Sequence, residues 1–162
     1  MTITKAEESD LQQILDLQYL AYQSEARLLD DFTIPPLTQT LAEVEQEFAK
    51  GIFLKAVDGI GEKIGSVRAW KEGNTVYVGK LIVQPEMQSR GIGTKLVRAI
   101  EREFSCKRYE IFTSTKSVRT IRIYEHLGYV KFKEQKISDK LTLVFLEKKN
   151  INGKICLKLK EI

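Results

Sequence analysis

The chain has 162 residues, a length that suits one domain built around one hydrophobic core. Apolar residues make up 43% of it, which is ordinary for a soluble globular protein, and no apolar run is long enough to cross a bilayer. The formal charge of +4 is modest, which does not favour nucleic-acid binding but is compatible with an anionic small cofactor. His126 is the only histidine, so we expect no histidine-rich metal site. The N-terminus has no apolar signal core, and we therefore expect a cytoplasmic protein.

The first half of the chain predicts a strand, two helices and a meander of three strands. These elements are Thr2–Lys5 as a strand, 11–22 and Leu41–Lys50 as helices, and Ile52–Val57, 63–71 and Thr75–Val83 as strands. The prolines at 35 and 36 are expected to break any helix between the two predicted ones. In the last strand the apolar alternation slips around Gly79, which predicts a β-bulge there.

The second half predicts alternating helices and strands, followed by a closing pair of strands. The helices are 92–104 and 118–127, and the strands are 107–115, 129–137 and 141–148. Asn152-Gly153 is a strong hairpin signal, so residues 154–160 would add an edge strand that a second copy of the chain could pair with in a homodimer. The order predicts a mixed α/β chain, with an antiparallel first half and a β-α-β unit in the second, forming a single domain over 1–162.

A polar loop with two close glycines joins the strand that ends at Val83 to the next helix. The first turn of a helix presents free N–H groups and a partial positive charge, and both attract phosphate. Gly91 and Gly93 let the backbone approach a phosphate closely, Arg90 can donate a charge-assisted hydrogen bond, and Thr94 adds a hydroxyl. The spacing fits neither the dinucleotide fingerprint, which needs a third glycine, nor the P-loop, which needs Gly-Lys-Ser/Thr.

Two stretches carry a resemblance to a known family. Gln88, Gly91 and Gly93 form the pattern Q-x-x-G-x-G between a strand and a helix, which resembles the acyl-CoA pyrophosphate loop of the GCN5-related N-acetyltransferase (GNAT) family. Residues 117–129 resemble that family's later helix, because Tyr124, Gly128 and the aromatic Tyr129 have the family's spacing. Ser117 stands where the family has asparagine. The resemblance implies a central, mostly antiparallel twisted sheet with helices on both faces and a splayed pair of parallel strands.

The resemblance also implies an activity and a set of site residues. The activity is direct transfer of an acetyl group from acetyl-CoA to a primary amine on a small molecule or peptide, with Tyr124 as the general acid that protonates the departing thiolate. The pantetheine arm would pair with strand backbone, as an added strand would. The implied cofactor-binding residues are Leu81, Ile82, Val83, Gln88, Ser89, Arg90, Gly91, Ile92, Gly93, Thr94, Ser117 and Tyr124.

The resemblance does not identify a general base. Many family members have a glutamate on the fourth strand, but the strand Thr75–Val83 contains no carboxylate. Glu110 on the following strand is our candidate. Glu43, Glu45 and Glu47 on the second helix are alternatives, and so is a water chain that leads to solvent. The missing carboxylate and the serine at position 117 leave an alternative function open, a non-catalytic acyl-CoA-binding regulatory module of the same fold.

Overall fold

The computed structural model describes residues 1–150, which form one seven-stranded mixed sheet packed against helices. The strands are β1 (Thr2–Lys5), β2 (Ile52–Val57), β3 (Lys63–Glu72), β4 (Thr75–Val83), β5 (Arg108–Ser114), β6 (Val130–Lys136) and β7 (Thr142–Lys149). The helices are α1 (Leu11–Ala21), α2 (Gln23–Leu29), α3 (Pro35–Thr38), α4 (Leu41–Lys50), α5 (Ile92–Arg102) and α6 (Val118–His126). The sheet order is β1-β2-β3-β4-β5-β7-β6, and β4 with β5 is the one parallel pair in it. The predicted mixed α/β fold class is confirmed.

Two short helices between α1 and α4 escaped prediction. Pro35 and Pro36 begin α3 instead of only breaking a helix, because proline is well tolerated in the first helical turn, where its missing N–H has no partner anyway. The helix α2 ends at Asp30, which adopts a left-handed φ of 51° where glycine is the usual residue. The predicted hairpin at Asn152-Gly153 and the strand 154–160 lie outside the described residues.

The sheet buries both of its faces, because neighbouring side chains along a strand point to opposite sides. Leu54 of β2 packs in the larger core under α5 and α6, which also holds Leu96 and Tyr124. Phe53, the preceding residue, packs in a second core under α1 and α4. The helix that carries Tyr124, α6, therefore lies on the opposite face of the sheet from the N-terminal helices α1 and α4.

The start of α1 is fixed to β2 and β3 by one buried carboxylate. Asp10, which is 6% exposed, accepts a hydrogen bond from the Glu7 N–H at 2.8 Å. Its two carboxylate oxygens also pair with the ammonium groups of Lys55 at 2.6 Å and Lys63 at 3.0 Å. This cluster anchors the start of α1, the helix that leads to α2, to the sheet.

The predicted bulge in β4 is confirmed. Ser66 of β3 lies opposite Ile82 and Arg68 lies opposite Gly79, so β4 carries one more residue than β3 over this interval. Lys80 lies within it and adopts a left-handed φ of 49°. The parallel pairing of β4 with β5 ends at Val78, so the residues of β4 beyond the bulge have no partner in β5.

Candidate active site

A cleft of about 620 Å³ opens where β4 and β5 separate. Its walls are the part of β4 beyond the bulge, the loop before α5, the start of α6 and the helix α2. Because the parallel pairing covers only the four residues from Thr75 to Val78, residues 81–83 of β4 have no hydrogen-bonded neighbour in β5. The fold thus leaves a slot between two strands, with a glycine-containing loop at its end.

The loop before α5 turns the chain through two left-handed residues. Ser89 has a φ of 64° and Gly91 a φ of 80°, and Gly91 is the residue that precedes the helix. The first hydrogen bond of the helix runs from the Lys95 N–H to the Gly91 carbonyl at 3.1 Å, so the amides of residues 92–94 have no partner within the helix. These amides and the helix dipole suit a phosphate group of a ligand in the cleft.

Most of the predicted cofactor-binding residues line this one cleft. They are Leu81, Ile82, Val83, Gln88, Ser89, Gly91, Ile92, Gly93, Thr94, Ser117 and Tyr124. Arg90 does not, because it faces a smaller depression that it shares with Met1 and Asp58. The structure therefore gives the cleft no contact from the arginine expected in the loop.

Another arginine, Arg119 of α6, reaches the loop instead. Its guanidinium donates to the Gln88 side-chain oxygen at 3.2 Å and to the Ser89 hydroxyl. The Gln88 amide in turn donates to the Val83 carbonyl at 3.3 Å. Sequence reasoning missed Arg119, although it lies two residues after Ser117 in the stretch that carries the resemblance.

The free edge of β4 is oriented for pairing with an extended ligand. The Gln84 N–H donates to the Ile64 carbonyl of β3 at 2.8 Å. Since the peptide groups along a strand alternate in direction, those of Leu81 and Val83 face away from β3 and toward the gap. Ile82 lies between them with its side chain buried in the core under α1.

Tyr124 and Ser117 bring α6 to the cleft. Tyr124 is 3% exposed, and its ring lies 6.0 Å from that of Tyr129. Burial raises the pKa of the Tyr124 phenol, and nearby Tyr22 and Glu25 raise it further, so the phenol remains protonated at neutral pH. The Ser117 hydroxyl, directly before α6, donates to the Glu25 carboxylate at 2.9 Å.

Glu110, the predicted base, does not line the cleft. It forms an ion pair with Arg108 at 2.7 Å, and Arg108 also binds Glu147 at 2.6 Å. Glu47, one of the alternatives, is paired with Arg68 at 2.7 Å. Glu43 and Glu45 are likewise absent from the cleft walls that the described residues form.

The carboxylate on the cleft wall is Glu25 of α2, a helix that the sequence did not predict. Burial raises the pKa of Glu25, while the hydrogen bond from Ser117 opposes this rise. A half-buried carboxyl whose pKa is raised holds a proton more readily than an exposed glutamate does, which suits it to exchanging protons with a ligand. Tyr22 and Lys80 complete this end of the cleft.

A family model described as an acetyltransferase (GNAT) domain matches residues 49–131, just over half of the chain. The chain belongs to the GNAT acetyltransferase family. This GNAT protein is therefore an acetyl-CoA-dependent acyltransferase, and the expected family resemblance is confirmed. The matched segment runs from the end of α4 to the start of β6 and so includes the loop, Ser117 and Tyr124. No curated protein sequence matches the chain.

Solved structures share the GNAT fold at low sequence identity. A GNAT superfamily phosphinothricin acetyltransferase from Sinorhizobium meliloti in complex with acetyl-CoA has a TM-score of 0.74 and 19% identity, over 95% of this chain and 90% of its own. The yncA protein from Salmonella typhimurium with its cofactor acetyl-CoA has a TM-score of 0.70 and 20% identity, over 92% and 93%. A ribosomal-protein-alanine N-acetyltransferase from Brucella melitensis has a TM-score of 0.73 and 17% identity, over 92% and 99%.

Residues 1–150 contain neither a membrane-spanning helix nor a cluster of metal-binding side chains. No helix in this part of the chain is long and apolar enough to cross a membrane. The same residues hold no group of three or more histidine, cysteine, aspartate or glutamate side chains that could bind a metal ion.

Proposed function

We propose that the protein transfers the acetyl group of acetyl-CoA directly to a primary amine. The observation that carries the proposal is the slot between β4 and β5, which has the unpaired amides of the α5 N-terminus at one end and Tyr124 on its wall. When bound there, acetyl-CoA supplies a thioester carbonyl, which the amine nitrogen attacks so that a C–N bond forms as the C–S bond breaks. Two relatives of the same fold are named N-acetyltransferases, which supports nitrogen as the acceptor atom.

The residues around the loop would bind the diphosphate. The amides of residues 92–94 donate hydrogen bonds to phosphate oxygens, and Gly91 allows the left-handed turn that exposes these amides. Arg119 would supply the positive charge that we expected from Arg90, because it is already held against Gln88 and Ser89. The peptide groups of Leu81 and Val83 would pair with the amides of the pantetheine arm.

Tyr124 would act as the general acid. Its burial keeps the phenol protonated, so it can donate a proton to the thiolate that departs from the acetyl group. Glu25 would accept the proton that the attacking ammonium group must lose, since it is the carboxylate on this wall and burial already favours its protonated form. The nitrogen loses a second proton as the amide forms, and this proton passes to solvent. Solvent also takes the proton from Glu25 and returns one to Tyr124, so each turnover releases one proton in total.

The test is a panel of primary amines, with thiol release from acetyl-CoA as the measurement. We expect turnover with at least one amine, and a 10²- to 10⁴-fold lower kcat for Tyr124→Phe, the usual contribution of a general acid. Tyr129→Phe is the matched control: it is also buried, but its hydroxyl donates to Glu101 at 3.0 Å outside the cleft, so its kcat is expected to be unchanged.

Three results would count against this assignment. Equal kcat values for Tyr124→Phe and wild type would remove Tyr124 from the reaction. Binding of acetyl-CoA in calorimetry without turnover of any amine would favour the non-catalytic module. Failure to bind acetyl-CoA at millimolar concentration would refute the function of the slot itself.

A further inference from the structure

We propose that the acceptor carries a carboxylate as well as its amine, and that the ammonium group of Lys80 binds this carboxylate. The inference rests on the proposed function and specifies its substrate class: an amino acid or another short amino carboxylate. Lys80 lies in the β4 bulge and lines the cleft together with Glu25 and Tyr124.

The backbone at Lys80 is held in an unusual conformation. Its φ of 49° lies in the left-handed region, which side chains other than glycine, asparagine and aspartate seldom adopt. Such a strained residue persists where the surrounding structure enforces it, often at a ligand site. Bulges commonly redirect a side chain next to an active site, and here the redirected residue is a lysine.

The charge of Lys80 lacks a partner within residues 1–150. The nearest acid in its electrostatic surroundings is Glu47, but both oxygens of that carboxylate are engaged, one by Arg68 at 2.7 Å and the other by the Gln39 amide at 2.7 Å. Burial lowers the pKa of Lys80, and the positive charge of Arg68 lowers it further, more than Glu47 restores it. A half-buried ammonium group without an ion-pair partner is unfavourable, and an anionic ligand would relieve this cost.

A fully buried cation, Arg68, lies in the electrostatic surroundings of Lys80. Arg68 is 2% exposed and its Nε has no hydrogen-bond partner among the described residues. Its guanidinium stacks over Phe53 at 4.3 Å and donates to Gln18 at 2.8 Å. The positive potential at the bulge therefore comes from two cations, Lys80 and Arg68, against one acid, Glu47.

The opposite charge lies on α2. Glu25 is the carboxylate among the described cleft residues, and the remaining cations of the wall, Lys116 and Arg119, lie just before α6 or within it. Arg119 is bound to the cofactor loop. The acceptor end thus offers an acid, Glu25, near Tyr124 and a cation, Lys80, on β4, an arrangement complementary to an ammonium group and a carboxylate in one molecule.

The experiment compares matched acceptors that differ only in the carboxylate. The pairs are L-leucine with L-leucinamide, L-phenylalanine with L-phenylalaninamide, β-alanine with β-alaninamide and 6-aminohexanoate with its amide. We expect kcat/KM of wild type to favour the acid of the best pair about tenfold to hundredfold, as one charge-assisted hydrogen bond allows. Lys80→Met should abolish this preference through KM while kcat for the amide is retained, and Lys80→Glu should favour the amide.

The control is Lys50→Met, which removes an exposed lysine at the end of α4 and should keep the wild-type preference. Thermal unfolding and acetyl-CoA calorimetry of each variant establish that the fold and the slot are intact. Wild-type turnover of amides at the same rate as acids would overturn the inference and leave the proposed function standing. An equal loss of kcat on every acceptor in Lys80→Met would also overturn it. Absence of turnover with every amine would refute the proposed function and this inference together.

Discussion

Replacing Asp10 by asparagine tests the cluster that fixes α1 to the sheet. Burial alone would raise the pKa of Asp10, but hydrogen bonds from the Glu7 N–H and from two lysine ammonium groups lower it from 3.8 to about 2. One pKa unit corresponds to about 1.4 kcal/mol, so the ionised carboxylate contributes about 2.5 kcal/mol to the free energy of unfolding. Asparagine resembles the protonated acid and loses this contribution.

The size of the loss depends on pH in a defined direction. Because the folded-state pKa of Asp10 is depressed, its contribution is complete above the unfolded pKa near 4 and disappears as the pH falls through about 2. Urea unfolding should therefore give Asp10→Asn a free energy of unfolding about 2.5 kcal/mol below wild type at pH 7. The two proteins should converge as the pH is lowered from 4 toward 2.

Asp16→Asn is the matched control, since Asp16 is an exposed residue of α1, the helix that follows Asp10, and its replacement should change stability by less than about 0.5 kcal/mol. A loss for Asp10→Asn of the same small size at pH 7 would refute the reasoning. So would a large loss that stays constant down to pH 2, because it would then not arise from the charge.

The remaining predictions concern the cofactor loop, the base and the sheet. Arg119→Met should raise the Kd of acetyl-CoA about tenfold or more in calorimetry, whereas Arg122→Met, an exposed arginine one turn later that does not line the cleft, should leave it unchanged. Glu25→Gln should lower kcat about 10²-fold or more and remove the acidic limb of the pH profile of kcat. As the pH is lowered, the wild type should lose activity at a higher pH than an ordinary glutamate would give, because burial raises the pKa of Glu25. Gly51→Ala should destabilise the fold by about 1–3 kcal/mol in urea unfolding, because the added Cβ would lie 2.4 Å from a backbone oxygen of β3, whereas Gly59→Ala meets open space and should be neutral or slightly stabilising.

The sequence was most informative where short-range patterns determine structure. The loop before α5 could be predicted because Gly91 and the apolar spacing of α5 lie close together in the chain. The bulge could be predicted because Gly79 interrupts the alternation of β4. In both cases neighbouring residues alone determine the backbone conformation.

The acceptor end of the cleft could not be read in the same way. Glu25 and Lys80 are 55 positions apart in the chain, and both line the cleft because α2 and β4 each form part of its wall. Arg119 reaches the loop from α6, across 30 residues of chain. Glu110 was predicted to act there from its place on the strand after β4, but it does not line the cleft and forms an ion pair with Arg108 of the same strand, which also binds Glu147 of β7.

The hydrogen bond between Ser117 and Glu25 has a consequence for how strongly each substrate binds in the presence of the other. A hydroxyl has a single proton, so Ser117 cannot donate it to Glu25 and to a cofactor carbonyl at the same time. If the carbonyl of acetyl-CoA accepts the hydrogen bond from Ser117, Glu25 is free to bind an incoming ammonium group. Conversely, if an ammonium group binds Glu25, the Ser117 hydroxyl is free to donate to the cofactor. Each substrate then increases the affinity for the other by the same factor, as thermodynamic linkage requires.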